Sequence, residues 1–173
     1  MATPTTLPAT FVSGAVLTAA QQNDLRGAFR VLQVVQGSTS TVKTVTSQTW
    51  EDSNLTQTIT PTSSSSKVLV LVGQSGCSKD GASIYSALSL RLVRGSTSIQ
   101  VFANYAGYNN AAAAQYLGIG TINAVFLDSP ATTAATTYKT QMISSNGNGG
   151  ATVQDNILST VQVSTITLME ISA

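Results

Sequence analysis

The feature that most constrains the fold is a series of short segments rich in β-branched residues, separated by turn-forming residues. Turn signals that recur every ~8 to 12 residues are typical of β-sandwiches and barrels. No longer period repeats along the chain, which disfavours propellers and solenoids. The segments that we predict as strands are residues 31–36, 41–50, 55–60, 67–72, 84–94, 97–103, 119–127, 138–143 and 161–171. We therefore predict an all-β fold, a β-sandwich or jelly roll of about eight to ten strands.

Three of these segments carry further information. Residues 67–72 (KVLVLV) and residues 161–171 are apolar on both faces. A strand of that kind lies in the middle of a sheet or at a subunit contact. Residues 84–94 alternate between apolar and polar and are followed by Gly95-Ser96, a tight-turn pair. We expect two central strands and one hairpin.

The segment before the strands has a different character. Prolines and threonines near the N-terminus favour an extended arm without a core of its own. Thr18 and Gln21 fit a helix-capping box, and apolar residues then recur at helical spacing. We predict an extended arm and one short helix, at about residues 19–30, within a segment 1–30, followed by a head domain formed by residues 31–173.

Composition points to an uncharged surface. Charged residues make up only 9% of the chain, against ~25% in typical soluble domains, whereas serine and threonine supply 47 of the 173 residues. Such a surface suits an extracellular or particle-bound protein. The formal net charge is +1 and no basic stripe is present, so we do not expect nucleic-acid binding.

The sequence lacks the residues on which common catalytic and metal-binding sites depend. The chain has no histidine, which excludes a Ser-His-Asp triad and the usual zinc sites. Phosphate-loop and dinucleotide motifs do not occur, and the single Cys77 cannot form an intrachain disulfide. A secretory signal and a membrane-spanning run are likewise not found. We predict no enzyme activity, no cofactor, no metal and no membrane insertion.

A few acids and one tryptophan need separate interpretation. Glu51-Asp52, Asp80, Asp128 and Asp155 could in principle form a glycosidase pair or a cation site, but acids beside turn residues usually cap local backbone. Trp50 could stack on a sugar, although a lone tryptophan among apolar strands more often belongs to the core. We expect structural roles for all of them.

A charge-free loop rich in tyrosine and asparagine is the best candidate for a contact surface. Flat amphipathic rings and adaptable amides suit recognition, although the same loop could pack on a neighbouring subunit. A second loop, SSNGNGG, has a similar composition. The candidate receptor-contact residues are Tyr105, Tyr108, Asn109, Asn110, Tyr116, Asn146 and Asn148.

Several segments resemble proteins of bacteriophage particles. FVSGAVLTAAQQNDLRGAF, residues 11–29, resembles the N-terminal segment of small phage tail and virion proteins. Three further pieces resemble, in the same order, a β-rich domain of fibre-like phage proteins: ITPTSSSSKVLVLV (59–72), FLDSPATTAATTYKTQ (126–141) and STITLMEI (164–171). The direct resemblance covers about a third of the chain.

The resemblance implies a trimeric jelly-roll head similar to those of C1q and tumour necrosis factor. It also implies that residues 1–30 anchor the protein to a particle, which makes Phe11, Val12, Leu17, Leu25 and Phe29 the candidate virion-anchor residues. The chain departs from the fibre pattern because it has no long repetitive shaft, which favours a squat appendage.

The sequence therefore indicates a non-enzymatic bacteriophage virion structural protein, made in the host cytoplasm and carried on the virion surface. The leading hypothesis is a homotrimeric short tail fibre or tail-tip protein that binds a host surface glycan and contacts other virion proteins of the tail. A capsid-decorating cement protein bound to the major capsid protein is the alternative. A carbohydrate-active enzyme that pairs Asp128 or Asp80 with Tyr108, or a lectin-like module, is a further one.

Overall fold

The computed structural model describes residues 31–80, 85–108, 116–145, 149–156 and 159–172, together with Gly14, Val16, Thr18 and Ala19. These residues form ten strands and two antiparallel sheets. The strands are β1 (Val31–Thr39), β2 (Lys43–Val45), β3 (Glu51–Ile59), β4 (Lys67–Lys79), β5 (Leu88–Arg94), β6 (Thr97–Ala106), β7 (Leu117–Asp128), β8 (Thr136–Ser144), β9 (Ala151–Val153) and β10 (Ser164–Ile171). The predicted all-β sandwich is confirmed.

The strands pair as nested antiparallel partners. In the order of the chain, the innermost pair is β5 with β6. Outside it follow the pairs β4 with β7, β3 with β8 and β1 with β10. This nesting is the wrapped arrangement of a jelly roll. The first sheet runs β1-β10-β4-β7, with β9 and β2 added beside the end of β4, and the second sheet runs β3-β8-β5-β6.

Two central strands and the hairpin are confirmed. β4 lies between β10 and β7, and β10 lies between β1 and β4. β5 and β6 are joined by the turn at Gly95-Ser96.

Several predicted strand boundaries are wrong; among them, β4 extends to Lys79 instead of residue 72, and β3 begins at Glu51 instead of residue 55. The segment predicted at 41–50 contains only the three-residue β2, because Ser47 Oγ accepts a hydrogen bond from the backbone N–H of Thr49 (2.8 Å) and turns the chain. The last strand begins at Ser164, since the N–H of Gln162 donates to Asn156 Oδ1 (3.2 Å) instead of joining a ladder. The strand predicted from residue 84 begins at Leu88.

The predicted arm and helix fall almost wholly outside the described residues. The same holds for all five candidate anchor residues, Phe11, Val12, Leu17, Leu25 and Phe29.

The core between the sheets consists of two apolar clusters. One surrounds the first half of β4 and includes Val70, Leu92 and Leu168; the other surrounds its second half and includes Leu90 and Met142. Burial of such side chains contributes about 1.5–3 kcal/mol each to folding.

A buried polar bridge also joins the two sheets. Gln74 of β4 accepts a hydrogen bond from Thr140 of β8 (2.9 Å), and Thr140 also bonds to Ser53 of β3. All three residues are fully buried, so the bridge fixes the register of the sheets by satisfying polar groups in the interior.

The sandwich has two distinct ends. At one end β1 begins at Val31 and β10 finishes at Ile171, and these two residues are paired; we call it the arm end. At the opposite end β6 finishes at Ala106, which pairs with Leu88 where β5 begins; we call it the tyrosine end. Leu88 also pairs with Ser144, the last residue of β8. The two loops singled out in the sequence therefore leave the second sheet on either side of β5.

Candidate functional site at the tyrosine end

A tight turn at the end of β6 presents two exposed tyrosines. The N–H of Tyr108 donates to the carbonyl of Tyr105 (3.2 Å), and the two rings meet edge to face with centroids 6.4 Å apart. Gly107 has φ +74°, and a Cβ there would lie 2.8 Å from Ile119 Cδ1, so the turn requires glycine. Tyr105 has φ +54°, a left-handed conformation that costs about 1–2 kcal/mol for a residue with a side chain. The fold therefore holds this ring in place against local strain.

A third tyrosine joins the pair. The ring of Tyr85, in the β4–β5 connection, lies 6.4 Å from that of Tyr108 at an interplanar angle of 32°. Tyr85, Tyr105 and Tyr108 are 51%, 55% and 48% exposed. The tyrosine cluster, as we call these three residues, is an aromatic surface open to solvent.

The sequence does not identify Tyr85 as a candidate contact residue, because it falls within the predicted strand 84–94. The preceding Asp80-Gly81 pair is a turn signal that could have placed it in a loop.

Tyr116 is not part of the tyrosine cluster, and its hydroxyl group has a different partner. Its hydroxyl donates to Asp155 Oδ2 (2.8 Å), which also accepts from Ser78 Oγ (2.5 Å). Burial, and then the neighbouring Asp155 carboxylate, raise the pKa of Tyr116. The Tyr116 hydroxyl is therefore a hydrogen-bond donor, fixed against the connection between β9 and β10.

The remaining candidate contact residues fall outside the described residues: Asn109, Asn110, Asn146 and Asn148. The sequence nevertheless fixes the charge of this end. The connecting segments 80–87, 107–116, 145–150 and 154–163 contain two charged residues, Asp80 and Asp155, and the β1–β3 connection, which also reaches this end, adds Lys43, paired with Glu51. Rings, amides and hydroxyl groups therefore outnumber charged groups in the connections at this end.

The proposed catalytic pair of Asp128 and Tyr108 is not brought together. Asp128 ends β7 at the arm end, where it accepts hydrogen bonds from Tyr138 Oη (2.7 Å) and Arg94 (2.6 Å). Tyr108 lies beside Gly107, next to the beginning of β7. A twelve-residue strand separates the two residues by about 35–40 Å.

The other acids have local partners. Asp80 accepts from the backbone N–H of Gly150 (2.6 Å), Glu51 pairs with Lys43, and Asp52 pairs with Lys139 (both 2.8 Å). These contacts tie loops and strands together, in keeping with a structural role.

Trp50 does not belong to the core, and that prediction is wrong. It is half-buried and precedes β3, where the guanidinium of Arg91 stacks over its ring at 4.4 Å from the centroid. Arg91 in turn donates twice to Gln141 Oε1, at 2.9 and 2.6 Å. A cation–π contact on the outer face of the second sheet therefore accounts for this tryptophan.

The described part of the chain holds neither a membrane-spanning helix nor a cluster of metal ligands. No helix there is long and apolar enough to cross a membrane. Among the same residues, no three acidic or cysteine side chains are grouped as metal ligands.

Comparison with known proteins assigns no family. No protein-family model matches the sequence, and no curated protein is significantly similar to it.

Proposed function

We propose that the chain is a non-enzymatic structural protein of a bacteriophage virion, a short tail fibre or tail-tip protein that binds a host surface glycan. Residues 1–30 would anchor it to the particle, and residues 31–173 would form a trimeric head. The tyrosine end would face the host.

The polarity of the sandwich is the observation that carries this proposal. The chain enters the head at Val31, at the arm end, and the tyrosine cluster lies at the opposite end. β4, with 13 residues, runs between the two ends and spans about 40 Å. An anchor that precedes Val31 would therefore leave the cluster on the side away from the particle.

The surface of the tyrosine end suits a glycan. Aromatic faces bind the C–H groups of sugar rings, and amide and hydroxyl groups satisfy sugar hydroxyls. Three half-exposed rings, two of which contact the third, Tyr108, supply the aromatic faces, and the asparagine-rich connections supply the amides.

An apolar row on the outer face of the first sheet supports the homotrimer. Val34, Met169, Leu69 and Leu127 lie side by side across all four strands. Val34 and Leu127 are 53% and 50% exposed, and Val125 in the next row is 64% exposed. Contiguous exposed apolar surface of this kind marks an association face. We infer that two further copies of the chain cover it.

The same row supports the cement protein as a second candidate. It lies toward the arm end, since Leu69 is near the beginning of β4. If this face packs on the major capsid protein instead of on other copies, the protein would decorate the head.

The test separates anchoring from adsorption. In phage that carry the altered gene, deletion of residues 1–30 should abolish incorporation of the protein into particles. The triple replacement of Tyr85, Tyr105 and Tyr108 by Ala should leave incorporation intact and reduce host adsorption at least about 10-fold, because stacking contacts of aromatic rings are worth about 0.5–1.5 kcal/mol each. The matched triple Tyr→Phe variant keeps the rings and should adsorb nearly normally.

Two results would reject the adhesin. Normal adsorption by the triple Ala variant would remove the role of the tyrosine cluster. Particles that adsorb normally but lose heat stability without the protein would establish the cement role instead.

A further inference from the structure

A second feature of the tyrosine end is a cavity on the outer face of the first sheet. Its volume is about 380 Å³, near the lower end of the ~300–1,000 Å³ typical of small-molecule sites. It is lined by Gly76 and Cys77 of β4, by Gly118, Ile119, Gly120 and Thr121 of β7, and by Asp155 and Gln162 of the β9–β10 connection.

The sequence of β7 explains why the cavity exists. Gly118 and Gly120 alternate with Ile119, so the strand carries no side chain at two successive positions of its outer face. A Cβ built at Gly120 would have no atom within 4 Å, which shows that the space above it is open. The β4–β7 ladder also shifts register on both sides of Cys77. Such bulges re-aim strands beside binding sites.

Asp155 gives the cavity its chemistry. Both of its side-chain hydrogen bonds, from Ser78 and Tyr116, go to Oδ2. Within the described residues no side chain donates to Oδ1. A carboxylate oxygen only accepts, so a ligand must bring donors. Gln162 and Thr121 add an amide and a hydroxyl, which donate and accept.

The charge of the cavity restricts the ligand. Asp155 is the only charged residue among those that line it. An anionic sugar or a phosphate would therefore meet a carboxylate and no cation among the lining residues. A neutral polyol meets no such penalty, and the half-exposed ring of Tyr116 lies beside the carboxylate as an aromatic surface.

We propose that this cavity binds one residue of a neutral sugar, with hydroxyl groups of the sugar donating to Asp155 Oδ1 and bonding to Gln162 and Thr121. The inference deepens the proposed function, on which it rests, because it names the class of glycan that the head would recognise.

The test is saturation-transfer NMR with the full chain and single sugars. Galactose, glucose and N-acetylglucosamine are the neutral probes; glucuronic acid and N-acetylneuraminic acid are the anionic ones. Wild-type protein should transfer saturation to at least one neutral sugar and to neither anionic one. Asp155→Asn should weaken binding about 10-fold or more, because a hydrogen bond to a charged acceptor is lost.

Two further variants serve as a second test of the cavity and as a control. Gln162→Leu removes a half-buried amide that makes no side-chain hydrogen bond to the described residues, so the variant should keep its fold, which its unfolding curve checks. Asp52→Asn is the matched control, since Asp52 lines a similar cavity of about 360 Å³ on the second sheet but is already paired with Lys139. It should bind sugar as the wild type does.

The outcomes are distinguishable from those of the proposed function. Binding that survives Asp155→Asn and Gln162→Leu, preference for an anionic sugar, or no transfer to any sugar would each overturn the cavity's role. None of these results would change whether the protein is incorporated into particles, which tests the proposed function separately.

Discussion

Near the arm end of the sandwich two buried carboxylates are enclosed by hydrogen-bond donors, whereas at the tyrosine end three aromatic rings face solvent. Glu170, fully buried near the arm end, accepts hydrogen bonds from Gln33 Nε2 (2.6 Å) and from the N–H and hydroxyl of Thr62 (both 2.7 Å). The carboxylate of Asp128 likewise accepts hydrogen bonds from Arg94 and from Tyr138.

The tyrosine end, in contrast, holds an exposed tyrosine cluster and a cavity. We interpret the arm end as built for stability and the tyrosine end as a surface kept for a partner. Exposed aromatic rings that lie together mark a surface that another molecule can cover.

The largest effect is expected at the apolar row beside the arm end. Leu127→Glu should convert a trimer into a monomer, with association weakened roughly 100-fold or more, since like charges brought together in an interface cost several kcal/mol. Sedimentation velocity measures this directly. Val101→Glu is the control because Val101 is similarly exposed (53%) on the second sheet. If the wild type sediments as a monomer, this face is not a contact between copies.

Substitutions at the two ends should also differ in how much they lower the free energy of unfolding. Glu170→Ala leaves the donors of Gln33 and Thr62 unsatisfied and should lower the free energy of unfolding by about 3 kcal/mol. Tyr108→Ala at the tyrosine end should lower it by less than about 1 kcal/mol. Denaturant titration of both variants measures the contrast, and equal losses would contradict the division of roles between the ends.

The pH dependence of stability should originate largely from the arm end. Burial alone would raise the pKa of Glu170, but hydrogen bonds from Gln33 and Thr62 outweigh it and hold the pKa below its usual value. A carboxyl whose pKa is lower in the folded state stabilises the fold above its unfolded pKa and loses that contribution as the pH falls through its folded pKa.

Unfolding free energy should therefore decline as the pH falls below about 4.5, and Glu170→Gln should flatten the decline. Asp52→Asn should flatten it less, because the lowered pKa of Asp52 belongs to a half-exposed group screened by solvent. Chemical denaturation at a series of pH values measures both slopes. A steeper dependence in Glu170→Gln would contradict the account.

The smallest effect concerns the floor of the cavity. Burial raises the pKa of Cys77 to about 12, so its thiol should react negligibly with an alkylating reagent at pH 8 until the protein is denatured. Mass spectrometry of the native and denatured protein measures the modification. Rapid modification of the native protein would mean that the cavity opens more deeply than the structure shows.

Much of the fold was predictable because alternation and turn residues act locally. Gly95-Ser96 and the apolar run of residues 67–72 identified a hairpin and a central strand without long-range information. The ends of strands were less predictable, since side chains such as Ser47 and Asn156 compete with the ladder for backbone groups.

The candidate site was predictable only in part. The sequence indicated Tyr105 and Tyr108, because they lie in one charge-free loop. Tyr85 and Asp155 reach the same end from distant segments through the pairing of β4 and β5 with their neighbours, which no local pattern encodes. Trp50 was misjudged because the stacking of Arg91 depends on a neighbouring strand.

If the head domain is carried on a virion, purified particles should bind a gold-tagged antibody against residues 31–173. We expect gold at the tail tip; gold over the capsid would assign the protein to the cement class instead. Particles that carry no label would contradict the virion assignment altogether.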